Sequence, residues 1–227
     1  MEMIRRVDAA ATIHLIDRTG QATMLPALPD LMSGRLRRSA LTRPLREIFD
    51  DSVDLINGEV RSIDPAARTV ALDGQTLHYD AAVIAAGSVP IPPPSVLSGF
   101  PIHTVHDFAS ASALRDRIAA ELARGVRPHV LVIGAGYTGL ETAAALRGST
   151  QSSPAPAVTV VDRSPEILSM LAPKTRDKMA AHLTAGGIDV RIATEVANAT
   201  ESTVQLSDGT EIAHPIICWS AGMRASP

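Results

Sequence analysis

Three glycines and one aspartate in this sequence have the residue types and the spacing needed to bind a dinucleotide. Gly134, Gly136 and Gly139 form a Gly-x-Gly-x-x-Gly turn, and Asp162 lies 23 residues after the last of them. In such a turn the first glycine allows a sharp bend, the second lets a pyrophosphate approach the backbone, and the third lets a helix pack closely on a strand. Asp162 could accept hydrogen bonds from both hydroxyls of a ribose.

The elements around the turn are those that a dinucleotide site requires. Residues 130–133 are an apolar run typical of a buried strand, residues 138–146 have a helical pattern, and Asp162 ends the next apolar run. Free N–H groups and a partial positive charge at the start of such a helix attract phosphate. A glycine turn alone is weakly specific, but the strand, the helix and the acid agree. They favour a dinucleotide site over the alternative of three glycines in an ordinary turn.

The choice between the two nicotinamide dinucleotides depends on Asp162 and Arg163. A carboxylate at the ribose would repel the 2′-phosphate of NADPH, so Asp162 favours NADH. Arg163 could offset that repulsion, and NADP(H) therefore stays open as the alternative to NAD(H).

The chain repeats one pattern of elements. Each copy contains, in the same order, an apolar strand ending in Asp-Arg, a strand-rich stretch with an Asp-Gly turn, and an apolar strand ending in Ala-Gly. These elements lie at residues 13–18, 60–77 and 79–87 in the first copy and at 158–163, 190–212 and 215–222 in the second. The pattern predicts an internal duplication with a period of about 140 residues.

The first copy differs from the second at its front. When Asp17 is aligned with Asp162, the counterpart of Gly134 falls before Met1, and no glycine-rich turn precedes Gly20. The sequence therefore predicts an α/β fold of two tandem Rossmann-like units, the first lacking its leading strand and phosphate loop. Each unit should carry a small antiparallel excursion, near 59–77 and 189–213. The expected domains are 1–106, an incomplete FAD-binding type, and 107–227, an NAD(P)H-binding type that opens with a helix over 107–124.

Composition and charge exclude several classes of protein. The net charge of −3 and the scattered basic residues, clustered only at 35–38, argue against a nucleic-acid partner. No apolar stretch reaches the length of about 18 residues that a membrane-spanning helix needs. Cys218 is the only cysteine, which suits a cytoplasmic protein and is expected to be an inert core thiol. His103 and His106 lack an evident third ligand, so no metal site is predicted, and Trp219 is expected to have a core or interface role.

The two units together resemble the pyridine nucleotide–disulfide oxidoreductase superfamily of flavoproteins, which places FAD on a first dinucleotide domain and NAD(P)H on a second. Within that superfamily, residues 17–34, 80–90 and 219–227 are similar to type II NADH dehydrogenases and related quinone-linked oxidoreductases. The disulfide-reducing branch uses a pair of redox cysteines. Since this chain has one cysteine, a dithiol mechanism is excluded.

The resemblance implies roles for particular residues. On the FAD side these are Asp17 at the adenosine ribose, Arg18 beside it, Val60 at the adenine, and Leu25, Pro26, Ala86 and Gly87 near the flavin. On the NAD(P)H side they are Gly134, Gly136, Tyr137, Thr138 and Gly139 at the pyrophosphate, Asp162 and Arg163 at the ribose, and Glu141 and Gly222 toward the nicotinamide. Glu141 could equally be an ordinary polar residue of the first helical turns.

The expected function is an FAD-dependent NAD(P)H oxidoreductase that passes hydride from NADH to flavin and electrons on to an acceptor such as a quinone. Hydride transfer requires no acid–base side chain, so no catalytic residue is named. Because the first phosphate loop and the family's segment after the second Ala-Gly strand are not in this sequence, it looks like a family member cut at both ends and is expected to bind FAD poorly. The alternative is a non-catalytic NAD(H)-binding module.

Overall fold

The computed structural model describes residues 10–148 and 154–226, and its contacts separate into two compact units. The smaller unit comprises Met1–Met24 and Thr42–Ala85, and the larger comprises Leu25–Leu41 and Ala86–Pro227. The boundary expected between residues 106 and 107 concerns the two cofactor domains, and it stays a prediction. The contacts themselves assign part of the first half of the chain to the larger unit.

Seventeen short strands, four α-helices and four three-residue 3-10 helices occur in the described parts of the two units. The strands are β1 (Ile13–Asp17), β2 (Gln21–Thr23), β3 (Thr42–Pro44), β4 (Val53–Asn57), β5 (Val60–Asp64), β6 (Thr69–Leu72), β7 (Gln75–His78), β8 (Ser88–Pro90), β9 (Ile102–Thr104), β10 (His129–Ile133), β11 (Ala157–Val161), β12 (Ile188–Arg191), β13 (Val196–Ala199), β14 (Thr203–Leu206), β15 (Glu211–Ala213), β16 (Ile216–Trp219) and β17 (Met223–Ala225). The helices are α1 (Leu28–Met32), α2 (Phe108–Ala123), α3 (Tyr137–Arg147) and α4 (Pro173–Ala185).

The larger unit is built on a five-stranded parallel sheet with the strand order β12-β11-β10-β16-β9. Apart from His129 and Thr159, its central strands are apolar, because both faces of the sheet are covered. Val130 and Val132 of β10 point into the cluster that the helices share, whereas Leu131 and Ile133 point into a second cluster with the antiparallel strands β13–β15. The predicted parallel sheet flanked by helices is confirmed.

Helix α1 contributes residues from the first half of the chain to the core of the larger unit. It packs on α2 and α3, and Leu28 and Leu31 are fully buried there. Leu41, nine residues beyond the end of α1, is buried in the same cluster. Residues 25–41 lie within the predicted domain 1–106, and nothing in their local pattern indicates that they pack on helices of the second half.

The local features predicted for the larger unit are present. The side chain of Asp107 caps α2 by accepting a hydrogen bond of 2.8 Å from the Ser110 backbone N–H. The excursion predicted near 189–213 is the antiparallel sheet β13–β15, although its first strand begins at Val196, since β12 belongs to the parallel sheet. Outside this sheet, β8 and β17 pair into a two-stranded antiparallel ribbon.

The described residues of the smaller unit form three separate small sheets. Strands β1 and β4 pair in parallel, β2 and β3 pair antiparallel, and the predicted excursion is the antiparallel sheet β5–β7. The turn between β6 and β7 is the Asp73-Gly74 turn, with Gly74 at φ +81°. Such a turn suits a two-residue hairpin.

One predicted strand of the first copy is wrong. Residues 79–87 form no strand, and the side chains of Val83 and Ile84 are 86% and 72% exposed. Its counterpart in the larger unit, β16, lies between β10 and β9 and is buried along its whole length. Among the described residues of the smaller unit no strand lies beside 79–85 to pair with its backbone, and an unpaired strand is not stable alone.

Three compositional expectations can be compared with the described residues. Burial of Cys218 raises the pKa of its thiol to about 12, as expected for an unreactive core cysteine. No helix in residues 10–148 and 154–226 has the length and apolarity to cross a membrane. Within the same residues no three His, Cys, Asp or Glu side chains are grouped so that they could hold a metal ion.

Two half-buried histidines should make the larger unit sensitive to acid. Removal from water, with a smaller contribution from nearby arginines, lowers the pKa values of His103 and His129 below 6.5, although Asp189 opposes the shift at His129. The unfolded chain therefore binds these protons more readily, and the free energy of unfolding should fall as pH drops below 6.5 toward the folded pKa values. We expect the melting temperature, followed by Trp219 emission, to decrease by about 2–4 °C between about pH 7.5 and about pH 5.5.

His129→Gln provides the matched comparison for this pH effect. Glutamine keeps a polar group that can bond the Thr159 hydroxyl, which lies 2.9 Å from His129 Nε2, but it does not titrate. The slope of melting temperature against pH should therefore be shallower in this variant. A wild-type chain that is equally stable or more stable at the lower pH would contradict the assignment.

Candidate dinucleotide site

The glycine turn begins at the carboxyl end of the central strand β10. Gly134 has φ +115°, a left-handed conformation that favours glycine, and its N–H donates to the Val161 carbonyl at 2.8 Å. A β-carbon at this position would lie 2.6 Å from the Ser220 carbonyl oxygen on the neighbouring strand end. The tight turn predicted for the first glycine therefore follows from both backbone conformation and lack of space.

The other two glycines of the turn have opposite surroundings. A β-carbon on Gly139 would overlap the Gly134 carbonyl oxygen, so this residue lets α3 pack directly against the turn. Gly136 is exposed, has φ −76°, and has nothing within 4 Å of the position that a β-carbon would take. The protein itself thus requires no glycine at position 136, which leaves an open approach to the backbone.

Helix α3 starts at this open approach. Gly136 is its N-cap without a side-chain cap, and Tyr137 and Thr138 are exposed in its first turn. The amide groups of the first turn have no acceptor within the helix, and the helix dipole adds a partial positive charge. This arrangement suits a pyrophosphate. Glu141 is exposed one turn further along.

Asp162 directly follows β11 and is fixed by the backbone around it. Its Oδ2 accepts a hydrogen bond from the Ala135 N–H at 2.7 Å, and its Oδ1 accepts one from the Ser164 N–H at 2.8 Å. Each carboxylate oxygen can accept a further bond, as ribose hydroxyls require. The sequence predicted the ribose role but missed the bond to Ala135, which ties the acid to the glycine turn.

The two arginines near Asp162, Arg163 and Arg191, differ in exposure and in ion pairing. Arg163 is exposed, whereas Arg191 donates to Asp189 and to Asp208, each at 2.7 Å. Bonds from Thr210 and Arg191 lower the pKa of Asp208 to about 2, so this acid is ionised and holds Arg191. Arg163 is therefore the better placed of the two to meet an additional phosphate.

The chain after β16 forms the other wall of the turn. Gly222 has φ +100°, and a β-carbon there would lie 3.0 Å from Ile91 Cδ1. Trp219, at the end of β16, is 9% exposed, and its Nε1 donates a hydrogen bond of 2.6 Å to the Ile91 carbonyl. A core position for Trp219 was expected, but its bond to a residue 128 positions away has no signal in the sequence.

The residues that the resemblance assigns to FAD divide between the units. Asp17, Arg18 and Val60 lie in the smaller unit, the last two of them exposed, whereas Ala86 and Gly87 are exposed in the larger unit. Leu25 and Pro26 also belong to the larger unit and are exposed.

Asp17 lies at a cavity of about 220 Å³ at the carboxyl ends of β1 and β4. Partial burial raises its pKa, but hydrogen bonds from Thr19 and Gly20 outweigh that effect and hold the value below 3.8. The carboxylate is therefore ionised and able to accept bonds from a ribose. The described residues of the smaller unit include no Gly-x-Gly-x-x-Gly turn, so they offer the acid but no cradle for the FAD diphosphate.

Comparisons with known proteins give a consistent result. The family model described as pyridine nucleotide-disulphide oxidoreductase matches residues 3–227. An NADH dehydrogenase-like protein of Mycobacterium tuberculosis is 30% identical over 199 residues, covering 83% of this chain and 50% of that protein. A type II NADH:quinone oxidoreductase of Staphylococcus haemolyticus is 26% identical over 250 residues, covering 95% and 59%.

The fold is shared with solved structures. The structure of NDH2 from Plasmodium falciparum in complex with NADH superposes with a TM-score of 0.82 at 16% identity, covering 96% of this chain and 51% of that one. The present chain thus spans about half the length of the curated relatives it matches.

Proposed function

Because the chain belongs to the pyridine nucleotide-disulphide oxidoreductase family, whose members bind NAD(H) and FAD, we propose that the larger unit binds NADH at the glycine turn. The observation that carries the proposal is the contrast within the turn. Gly134 and Gly139 leave no room for a side chain, while Gly136 faces open space at the start of α3. That arrangement lets a pyrophosphate approach the backbone.

NADH is proposed over NADPH because of the way Asp162 is held. Two backbone N–H groups fix its carboxylate in position, and the 2′-phosphate of NADPH would be placed against that negative charge. The exposed Arg163 supports the second possibility, in which NADPH binds with its extra phosphate on the guanidinium.

The proposed activity is that of an NAD(P)H dehydrogenase with FAD as the redox group and an acceptor such as a quinone. FAD, if bound, would supply a redox group able to take hydride from a reduced nicotinamide and to pass electrons onward. The contribution of this chain is to bind and orient the nicotinamide nucleotide. No step is assigned to the smaller unit, because its described residues lack a cradle for the FAD diphosphate. A cytoplasmic location is part of the same proposal.

A second candidate function is an NAD(H)-binding module that does not turn over. It is favoured by one observation, the presence of an ionised Asp17 without a phosphate turn in the described part of the smaller unit. The two candidates share the NADH site and differ only in flavin content and turnover.

Asp162→Ala is expected to weaken NADH binding, since it removes the ribose acceptor and leaves the Ala135 N–H without the carboxylate that it donates to. Calorimetric titration with NADH and NADPH measures the effect, and affinity should fall by about 10- to 100-fold. Asp177→Ala, which removes an exposed carboxylate from α4, is the control and should bind normally. Visible flavin absorbance of the purified protein then separates oxidoreductase from module. Failure of the wild-type chain to bind either nucleotide would refute both candidates.

A further inference from the structure

We propose that Trp219 is a positioning residue for the dinucleotide site, acting through its indole N–H rather than through its bulk. This inference rests on the proposed function of the larger unit. Trp219 would tie the β8–β17 ribbon to the sheet and so hold the strand end that forms one wall of the glycine turn.

The indole lies at the carboxyl edge of the sheet beside the strand that enters the turn. Trp219 is the last residue of β16, in register with Ile133 on one side and Thr104 on the other. Its side chain is in the apolar cluster on the face covered by β13–β15. Its Nε1 nevertheless has a partner, the Ile91 carbonyl at 2.6 Å, so a polar group in an apolar cluster is satisfied.

Ile91 is held at both of its backbone polar groups. Its carbonyl accepts the bond from Trp219, and its N–H donates to the Gly222 carbonyl at 3.1 Å. The next pair along the ribbon is Pro90 with Met223. Proline has no N–H to donate at that position, so the two bonds of Ile91 fix this end of the ribbon.

The ribbon is connected to the glycine turn through three residues. Ser220, Ala221 and Gly222 run from Trp219 to β17, and the Ser220 N–H donates to the Ile133 carbonyl at 2.8 Å. The Ser220 carbonyl oxygen is the atom that excludes a side chain at Gly134. Loss of the Trp219–Ile91 bond would therefore loosen the segment that closes the turn, without removing any group expected to touch the nucleotide pyrophosphate.

Trp219→Phe tests the proposal because phenylalanine keeps an aromatic ring but has no N–H. Two quantities should change: NADH affinity by calorimetry, weakened about three- to tenfold, and hydrogen exchange of the peptide containing the Ile91 amide, accelerated by a similar factor. Ile217→Val is the matched control, since it removes one methyl group from the same strand and the same cluster. It should leave NADH affinity within about twofold of wild type and Ile91 exchange unchanged.

The outcomes separate positioning from packing. Unchanged NADH affinity in a folded Trp219→Phe variant, or equal weakening in Ile217→Val, would overturn the proposal. If the phenylalanine variant does not fold, Trp219→Met, a large apolar side chain without a donor, is judged by the same two measurements. If wild-type protein does not bind NADH, the proposed function fails. The role of the Trp219–Ile91 bond in holding the ribbon is then tested by hydrogen exchange alone. Equal exchange rates of the Ile91 amide in wild type and variant would overturn it.

Discussion

Gly136→Ala should weaken NADH binding by about 10- to 100-fold while leaving the protein as stable as before. Nothing lies within 4 Å of the new methyl group and φ at this residue is −76°, so the folded chain accepts alanine without strain. The free energy of unfolding should change by less than about 1 kcal/mol. The methyl group instead occupies the space through which a pyrophosphate would approach the backbone. Calorimetry and thermal unfolding measure the two effects separately.

Two other glycine substitutions serve as comparisons for Gly136→Ala: Gly139→Ala, within the turn, and Gly209→Ala, outside it. Alanine at 139 would overlap the Gly134 carbonyl, so stability and binding should be lost together, by about 3 kcal/mol or more in stability. Gly209 has φ +84° in open space, and its replacement should cost about 1 kcal/mol with unchanged NADH affinity. Normal NADH affinity in Gly136→Ala would mean that the turn is structural and does not face the nucleotide.

Leu31→Ala is expected to destabilise the larger unit by about 2–5 kcal/mol, the range observed when a buried leucine is truncated. Leu31, on α1, is fully buried in the cluster that also contains Ala111, Leu114 and Leu140. The effect is notable because residue 31 belongs to the first half of the chain. Chemical denaturation followed by Trp219 emission reports on the larger unit, which contains the only tryptophan.

The matched control for this prediction is Leu25→Ala. Leu25 lies at the start of the same segment but is 46% exposed, so its truncation should change stability by no more than about 0.5 kcal/mol. Equal effects of the two substitutions would show that residues 25–41 do not pack on α2 and α3 in solution.

The elements around the dinucleotide site could be predicted from the sequence because each is specified locally. An apolar run, three glycines and a helical pattern are contiguous, and Asp162 ends the next apolar run. The helix predicted over 107–124 is likewise specified by its own residues, and α2 begins directly after the Asp107 cap. The Asp73-Gly74 pair likewise predicts a hairpin turn from two adjacent residues, and this turn joins β6 to β7. The residue roles at the site stay predictions until binding is measured.

The features that sequence reasoning missed depend on distant partners. Residues 79–87 form an apolar run that ends in Ala-Gly, as residues 215–222 around β16 do. A strand also requires neighbours, and the described residues provide none beside 79–85. The placement of Leu31 follows from helices more than 70 residues away. The bond from Trp219 to Ile91 leaves no periodic or spacing signal, since its acceptor is a backbone carbonyl that every residue carries.

Helix α1 also constrains how the protein can be synthesised. Its apolar residues leave the ribosome before α2 and α3 exist, because those helices end at Ala123 and Arg147. At translation rates of about 5–20 residues per second, roughly ten seconds pass between the synthesis of Leu28 and Leu31 and that of their packing partners on α2 and α3. During that interval the nascent chain exposes an apolar segment that a chaperone or a neighbouring chain could bind. The core of the larger unit can therefore form only after α2 and α3 have been synthesised. Residues 25–41 must remain accessible up to that time.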